Sequence, residues 1–113
     1  MVSTPALSAA ELRQVTDEVA QLVVRVAQQL CEVTPGEPTD REVRLAVVAA
    51  ARLIHAEVGA QLDEAVVGAA RTGAGYTEIG AAMGMTRQGA QRRWPDVAAV
   101  IRATRRVELS ADS

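Results

Sequence analysis

Four polar side chains that can each form a pair of parallel hydrogen bonds lie close together in the C-terminal third of the chain. They are Arg87, Gln88, Gln91 and Arg92. At about 100° per residue on a helix, all four fall within an arc of about 140° and project from one face. An Arg guanidinium can donate paired hydrogen bonds to guanine O6 and N7, and a Gln amide matches adenine N6 and N7. These four residues are therefore predicted to read base edges.

The residues around this group favour contact with phosphates. No acidic residue occurs from Met83 to Pro95, whereas an ordinary solvated helix face mixes charges of both signs. The candidates for phosphate contacts are Thr77, Thr86, Arg93, Arg102, Arg105 and Arg106. For the last three, an equally good interpretation is that they stabilise the C-terminus of their own helix through its dipole.

Two short helices joined by a tight turn would position these side chains. Thr77 is predicted to cap the first helix, whose inward residues are Ile79 and Met83. Gly84 follows the end of that helix, where the chain must turn through a left-handed conformation. Thr86 is then predicted to cap the second helix, which carries the four polar residues.

This stretch resembles the helix-turn-helix family, particularly region 4 of bacterial sigma factors and many small actinobacterial regulators. The apolar, small and turn residues of that pattern correspond here to Ile79, Gly80, Met83, Gly84, Met85, Ala90 and Trp94. The resemblance covers roughly residues 62 to 94 and implies that the second helix enters the major groove of DNA. Two residues depart from the pattern: Gly89 inside the second helix, and Arg93, where many repressors carry an aliphatic side chain.

A long helix is predicted at the start of the chain. Ser8 and Glu11 form a capping box, and the apolar residues that follow recur every three or four positions. They are Leu12, Val15, Val19, Leu22, Val26, Leu30 and Val33. Such a stripe is typical either of packing within the monomer or of a short coiled-coil seam between two copies, and the sequence leaves both open.

A second long helix and a last helix complete the prediction. Thr39 and Glu42 form another capping box, and the helical period then continues to about Thr72. This stretch is either one helix or two nearly collinear ones hinged at Gly59, because a lone Gly costs only about 1 kcal/mol in a helix. Near the end of the chain, Asp96 is predicted to cap the last helix.

The expected fold is therefore all-α, with two long N-terminal helices, a helix-turn-helix and a short C-terminal helix. Residues 1–7 are expected to be a flexible tail, 8–60 a helical scaffold and dimerisation region, and 61–108 a DNA-binding region, within one compact domain overall. The composition agrees, because 22 Ala and 16 Val among 113 residues, with 2% aromatics, suit closely packed helices better than a sheet sandwich.

The net charge of -2 argues against nucleic-acid binding when the chain is taken as a whole. The distribution of the charges along the chain reverses that conclusion. Residues 1–70 carry five Arg and ten acidic residues, whereas residues 71–106 carry seven Arg and two acidic residues. The first segment is therefore acidic by five charges and the second basic by five. Such asymmetry is typical of a DNA-binding part joined to an acidic scaffold.

Catalytic chemistry has no support in the sequence. Cys31 is the only cysteine and His55 the only histidine, so neither has partners at metal-ligand spacing. No catalytic residues, metal or cofactor are expected. Without a leader-like N-terminus or an apolar run of about 20 residues, the chain is expected in the cytoplasm, away from membranes.

These observations predict a sequence-specific protein that binds double-stranded DNA as a homodimer and regulates transcription. The alternative is a small helical adaptor or anti-regulator that binds a protein of the transcription machinery, such as RNA polymerase. In that case the acidic first 70 residues would be the working surface.

Overall fold

The computed structural model describes residues 6–111, which contain helices and no strand. Within that range there are five helices: α1 (Ala9–Glu32), α2 (Asp40–Arg71), α3 (Tyr76–Met83), α4 (Arg87–Arg93) and α5 (Val97–Ala111). The predicted all-α class is confirmed. Of the expected tail, residues 1–5 lie outside the described residues.

The described chain divides into two compact units between Gly59 and Ala60. The N-terminal unit, residues 6–59, contains α1 and the first part of α2. The C-terminal unit, residues 60–111, contains the rest of α2 with α3, α4 and α5.

Hydrogen bonds set the start of both long helices. At α1, the Glu11 backbone N–H donates to the Ser8 hydroxyl at 3.1 Å, and the Ser8 backbone N–H donates to the Glu11 carboxylate at 3.0 Å. This confirms the first capping box. At α2, the Glu42 N–H donates to the Thr39 hydroxyl at 3.2 Å, but the Glu42 carboxylate accepts from that same hydroxyl at 3.1 Å rather than from the Thr39 backbone. The predicted capping box at the start of α2 is therefore only half formed, because the bond from the Thr39 backbone N–H to the Glu42 carboxylate is replaced by one from the Thr39 hydroxyl.

The helix α2 runs unbroken through Gly59 for 32 residues, which settles the alternative that the sequence left open. It ends where Gly73 adopts a φ of +104°. There the Ala74 N–H donates to the Ala69 carbonyl and the Gly73 N–H to the Ala70 carbonyl, each at 3.1 Å. These two bonds form a Schellman motif, which satisfies carbonyls that the helix end would leave without partners.

The N-terminal unit buries very little. Among its described residues, only Ala27 and Ala50 are buried. The first half of the α1 stripe is open to solvent, since Leu12, Val15 and Val19 are 54%, 45% and 48% exposed. Packing within this unit therefore leaves that half of the stripe uncovered.

The C-terminal unit has a true apolar core. It is formed by residues from all four of its helical segments and the turn after α4: Val66, Ala70, Tyr76, Ile79, Ala90, Trp94, Val97 and Ile101. Met83 and Val100 pack against this core from its edge. The last helix begins at Val97, directly after Asp96, and buries Val97 and Ile101 in this core.

The start of α3 differs from the prediction. The helix begins at Tyr76 with Gly75 as its N-cap, so the prediction that Thr77 caps α3 is wrong. Thr77 lies inside the first turn and is exposed. The reason lies in the core: the ring of Tyr76 is buried there, which fixes the first helical residue one position before Thr77.

The turn between α3 and α4 follows the prediction closely. Gly84 has a φ of +66°, and the Met85 N–H donates to the Gly80 carbonyl at 2.8 Å. A Cβ at Gly80 would lie 2.9 Å from the Met85 carbonyl oxygen, so this glycine is required by the close approach of the turn. Thr86 is the N-cap of α4 and accepts from the Gly89 N–H at 3.0 Å.

Among residues 6–111, one helix, α2, is long and apolar enough by length and composition to cross a membrane, and very little of its apolar stretch is buried. One such helix is weak evidence for a membrane span, because core helices of soluble proteins pass the same test.

Candidate functional site

The helix α4 has one buried side and one polar side. Ala90 is fully buried and Trp94, its C-cap, is 7% exposed. The four residues predicted to read base edges, Arg87, Gln88, Gln91 and Arg92, are all exposed. The structure therefore presents these four side chains together on the surface, and the buried Ala90 and Trp94 anchor the helix.

Trp94 fixes the end of α4 through three contacts. Its indole Nε1–H donates to Asp63 Oδ1 on α2 at 2.9 Å. The hydroxyl of Tyr76 donates to the Trp94 carbonyl at 2.7 Å. The Arg93 guanidinium stacks over the indole ring, 4.8 Å from its centre. Because α2, α3 and α4 are thereby joined at one residue, the orientation of the polar side of α4 is set by tertiary contacts.

A polar cleft of about 350 Å³ lies within the C-terminal unit. Its lining includes Thr77 at the start of α3, Arg87 and Gln91 on α4, and Arg102 and Arg105 on α5. Five of the ten predicted site residues, from three different helices, thus meet at one place.

The electrostatics of the cleft favour an anion. Three guanidinium groups face it, and the N-terminus of α3 opens into it. Gly75 caps α3 without a side-chain hydrogen bond, so the amides of the first turn keep their capacity to donate to a ligand. Glu78, which also lines the cleft, is an acidic group that opposes this field. The remaining groups can hold a phosphate oxygen by hydrogen bonds and charge.

The other predicted residues lie outside this cleft. Gln88 and Arg92 are exposed on α4, and Arg106 is exposed on α5. The Thr86 hydroxyl is engaged as the cap of α4, and Arg93 is stacked on Trp94. The cleft therefore brings together three of the six predicted arginines, namely Arg87, Arg102 and Arg105.

Three residues that organise the site were missed by sequence reasoning. Asp63 is 31 positions from its partner Trp94 and Tyr76 is 18 from the same residue, and no local spacing indicates such pairs. Gly75 as the N-cap could have been found, because Gly is an accepted N-cap residue and Tyr76 is one of only two aromatic residues available for the core.

Among the described residues, no group of three His, Cys, Asp or Glu side chains could hold a metal ion. His55 is exposed on α2, and Cys31 is a free, half-buried thiol near the end of α1.

Comparison of the chain with known protein families, with curated proteins and with solved structures finds no significant match.

Proposed function

We propose that the C-terminal unit is a helix-turn-helix that binds double-stranded DNA, with α4 lying in the major groove. The observation that carries this proposal is that α4 is anchored by the buried Ala90 and its buried C-cap Trp94, while four hydrogen-bonding side chains of the same short helix are exposed together. A surface helix needs only polarity to be soluble; here all four groups are of the types that match base edges.

The positively charged groups that line the cleft also support this proposal. With α4 in the groove, Arg102 and Arg105 on α5 and the first turn of α3 provide phosphate contacts beside it. Phosphate contacts position a protein on DNA, whereas base contacts specify the sequence. The C-terminal unit thus offers both kinds of contact on neighbouring helices.

The chain would act as a homodimer and regulate transcription. A single short recognition helix covers few base pairs, whereas a two-fold pair presents two recognition helices to half-sites about 34 Å apart, one turn of DNA. The expected location in the cytoplasm stays a prediction.

The decisive experiment is selection of bound sites from random duplex DNA at about 150 mM salt. We expect enrichment of a sequence with two-fold symmetry. The double variant Arg87→Ala, Arg92→Ala should lose base preference, because each bidentate contact supports about 1–3 kcal/mol of discrimination, or roughly 5- to 150-fold. Parent-like selection by this variant, or no enrichment with the parent, would refute the groove assignment.

Two further variants separate base contacts from general charge. Arg105→Ala should weaken binding to all duplexes alike and reduce the salt slope by about 1. The matched control Arg13→Ala, Arg41→Ala removes two exposed guanidiniums from the N-terminal unit and should leave the selected sequence unchanged.

A second candidate function is that of an adaptor binding a transcription-machinery protein, such as RNA polymerase. The exposed apolar side chains of the N-terminal unit favour it, because such surfaces mark protein contacts. Co-purification with and without nuclease treatment distinguishes the two functions, since a partner bridged by DNA is lost on digestion.

A further inference from the structure

Asp63 lies on the surface of α2, 31 positions before the residue that it contacts. Its Oδ1 accepts the indole Nε1–H of Trp94 at 2.9 Å. Only 7% of Trp94 is exposed, so this bond reaches a ring that is otherwise buried. A charged acceptor makes such a bond roughly twice as strong as a neutral one, and the carboxylate therefore fixes the direction of the indole.

Trp94 is the residue that holds the last turn of α4. It is the C-cap of that helix, and the Tyr76 hydroxyl donates to its carbonyl at 2.7 Å. The Arg93 guanidinium stacks over its ring, 4.8 Å from the centre. The other end of α4 is held separately by its N-cap, Thr86. The two ends of the helix thus have independent supports.

We infer that Asp63 is a positioning residue that determines the sequence discrimination of the end of α4, and that it acts through Trp94 rather than through a contact with DNA. The inference rests on the DNA-binding function proposed above and adds to it a residue of α2 that sets its specificity. The side chains that depend on this support are the two predicted base-reading residues nearest to Trp94, Gln91 and Arg92.

The shortness of α4 makes this support necessary. The helix has seven residues and is about 10 Å long. If its end were released while its start stayed at Thr86, a tilt of about 10° would move that end by about 2 Å, whereas a recognition contact tolerates about 0.5 Å. Gln91 and Arg92 lie near the released end, and Arg87 lies beside the cap. The effect on base recognition should therefore be uneven along the helix.

Asp63 can be changed without opening the core. Its side chain is exposed and lies outside the buried cluster, so Asp63→Ala removes an acceptor rather than packing. Asp63→Asn removes the charge but keeps an oxygen that can accept from the indole. Glu64→Ala is the matched control, because Glu64 is the next residue of α2, is also exposed, and loses the same charge to the same alanine.

The first measurement follows the indole N–H in the full chain without DNA. Trp94 is the only tryptophan, so the NMR spectrum of the isotope-labelled chain contains one indole signal. Asp63→Ala should speed the exchange of this proton with water by about 10-fold or more, as expected when a hydrogen bond to a charged group is lost. Asp63→Asn should restore most of the protection, and Glu64→Ala should match the parent. Parent-like exchange in Asp63→Ala overturns the inference.

The second measurement is selection of bound sites from random duplex DNA, with helix content checked by circular dichroism. Asp63→Ala should lower the discrimination between selected and random DNA by about 5-fold or more, as expected for the loss of one bidentate base contact. The base positions that lose their preference should be those lost in Gln91→Ala and Arg92→Ala, and the position lost in Arg87→Ala should be retained. Asp63→Asn should select the parent sequence.

The control separates positioning from charge. Asp63→Ala and Glu64→Ala both remove an acidic group and should bind random DNA at least as tightly as the parent, but only Asp63→Ala should lose discrimination. Equal discrimination in the two variants, or a loss spread evenly over all base positions, overturns the inference and leaves the proposed function standing. If the parent selects no sequence, the proposed function fails and the specificity role of Asp63 fails with it, whatever the indole exchange shows.

Discussion

The two units of this chain are built from the same kind of residues and the same kind of helix, yet only one of them encloses a core. The C-terminal unit buries eight apolar residues in one cluster, and the N-terminal unit buries two alanines among its described residues. The difference is geometric. Three short helices packed against the end of α2 can surround side chains such as Ile79, whereas two long helices leave most of their apolar surface open.

The contrast extends to charge and to local constraint. The unit with the core carries the exposed arginines of α4 and α5, and its α4 is joined through Trp94 to Asp63 and Tyr76. The unit without a core lies in the acidic part of the chain. Side chains that recognise a ligand by hydrogen bonds must be held in a fixed orientation by the residues around them. Exposed apolar side chains, in contrast, are stabilised when another surface covers them. This is why we assign recognition to the unit with the core.

The largest effect on stability should come from removing a core side chain. Ile79 is 4% exposed, so Ile79→Ala should lower the free energy of unfolding by about 2–5 kcal/mol at any protein concentration. Val15→Ala should cost less than about 0.5 kcal/mol in dilute solution and more only where the chain dimerises. Urea unfolding followed by circular dichroism at several concentrations measures both. If both variants lost the same free energy of unfolding at every protein concentration, the proposed difference between the units would be wrong.

Replacing one glycine in each unit by alanine should change the stability of the chain in opposite directions. Gly59→Ala places a Cβ in open space and should stabilise the chain by about 0.5–1 kcal/mol, since it removes freedom from the unfolded chain. Gly80→Ala drives a Cβ against backbone oxygens of the turn, 2.9 and 3.0 Å away, and should destabilise by about 1–3 kcal/mol. The thermal midpoints of the two variants should move in opposite directions, and a shift upward in both would contradict the tight packing of the turn.

The smallest effect concerns pH at the start of α1. Hydrogen bonds from the backbone and then the hydroxyl of Ser8 lower the pKa of the Glu11 carboxyl below its usual value. Because the folded pKa is depressed, the stabilisation is present above the unfolded value and is lost as the pH falls through the folded value. An NMR titration should show the Ser8 amide following Glu11, and Glu11→Gln should abolish that response. A midpoint above that of an unfolded peptide would contradict the capping box.

Much of the secondary structure could be predicted because its signals are local. Ser8 with Glu11 marked the start of α1, Gly84 the left-handed turn, and Thr86 the cap of α4, and all three are confirmed. Each of these depends on residues no more than four positions apart. The start of α3 was misplaced at Thr77, because the anchoring of Tyr76 in the core depends on residues from other helices.

The sequence by itself determined the helices, the turn that joins α3 to α4, and which residues of α4 could share a face, since hydrogen bonds and periodicity within a few residues decide these. Only the tertiary structure decided that Arg87 and Gln91 meet Arg102 and Arg105 in one cleft. It also decided that Asp63 and Tyr76 hold Trp94, and that the first half of the α1 stripe stays uncovered. Those outcomes depend on packing between residues far apart in the chain, where many alternative pairings satisfy the same local pattern.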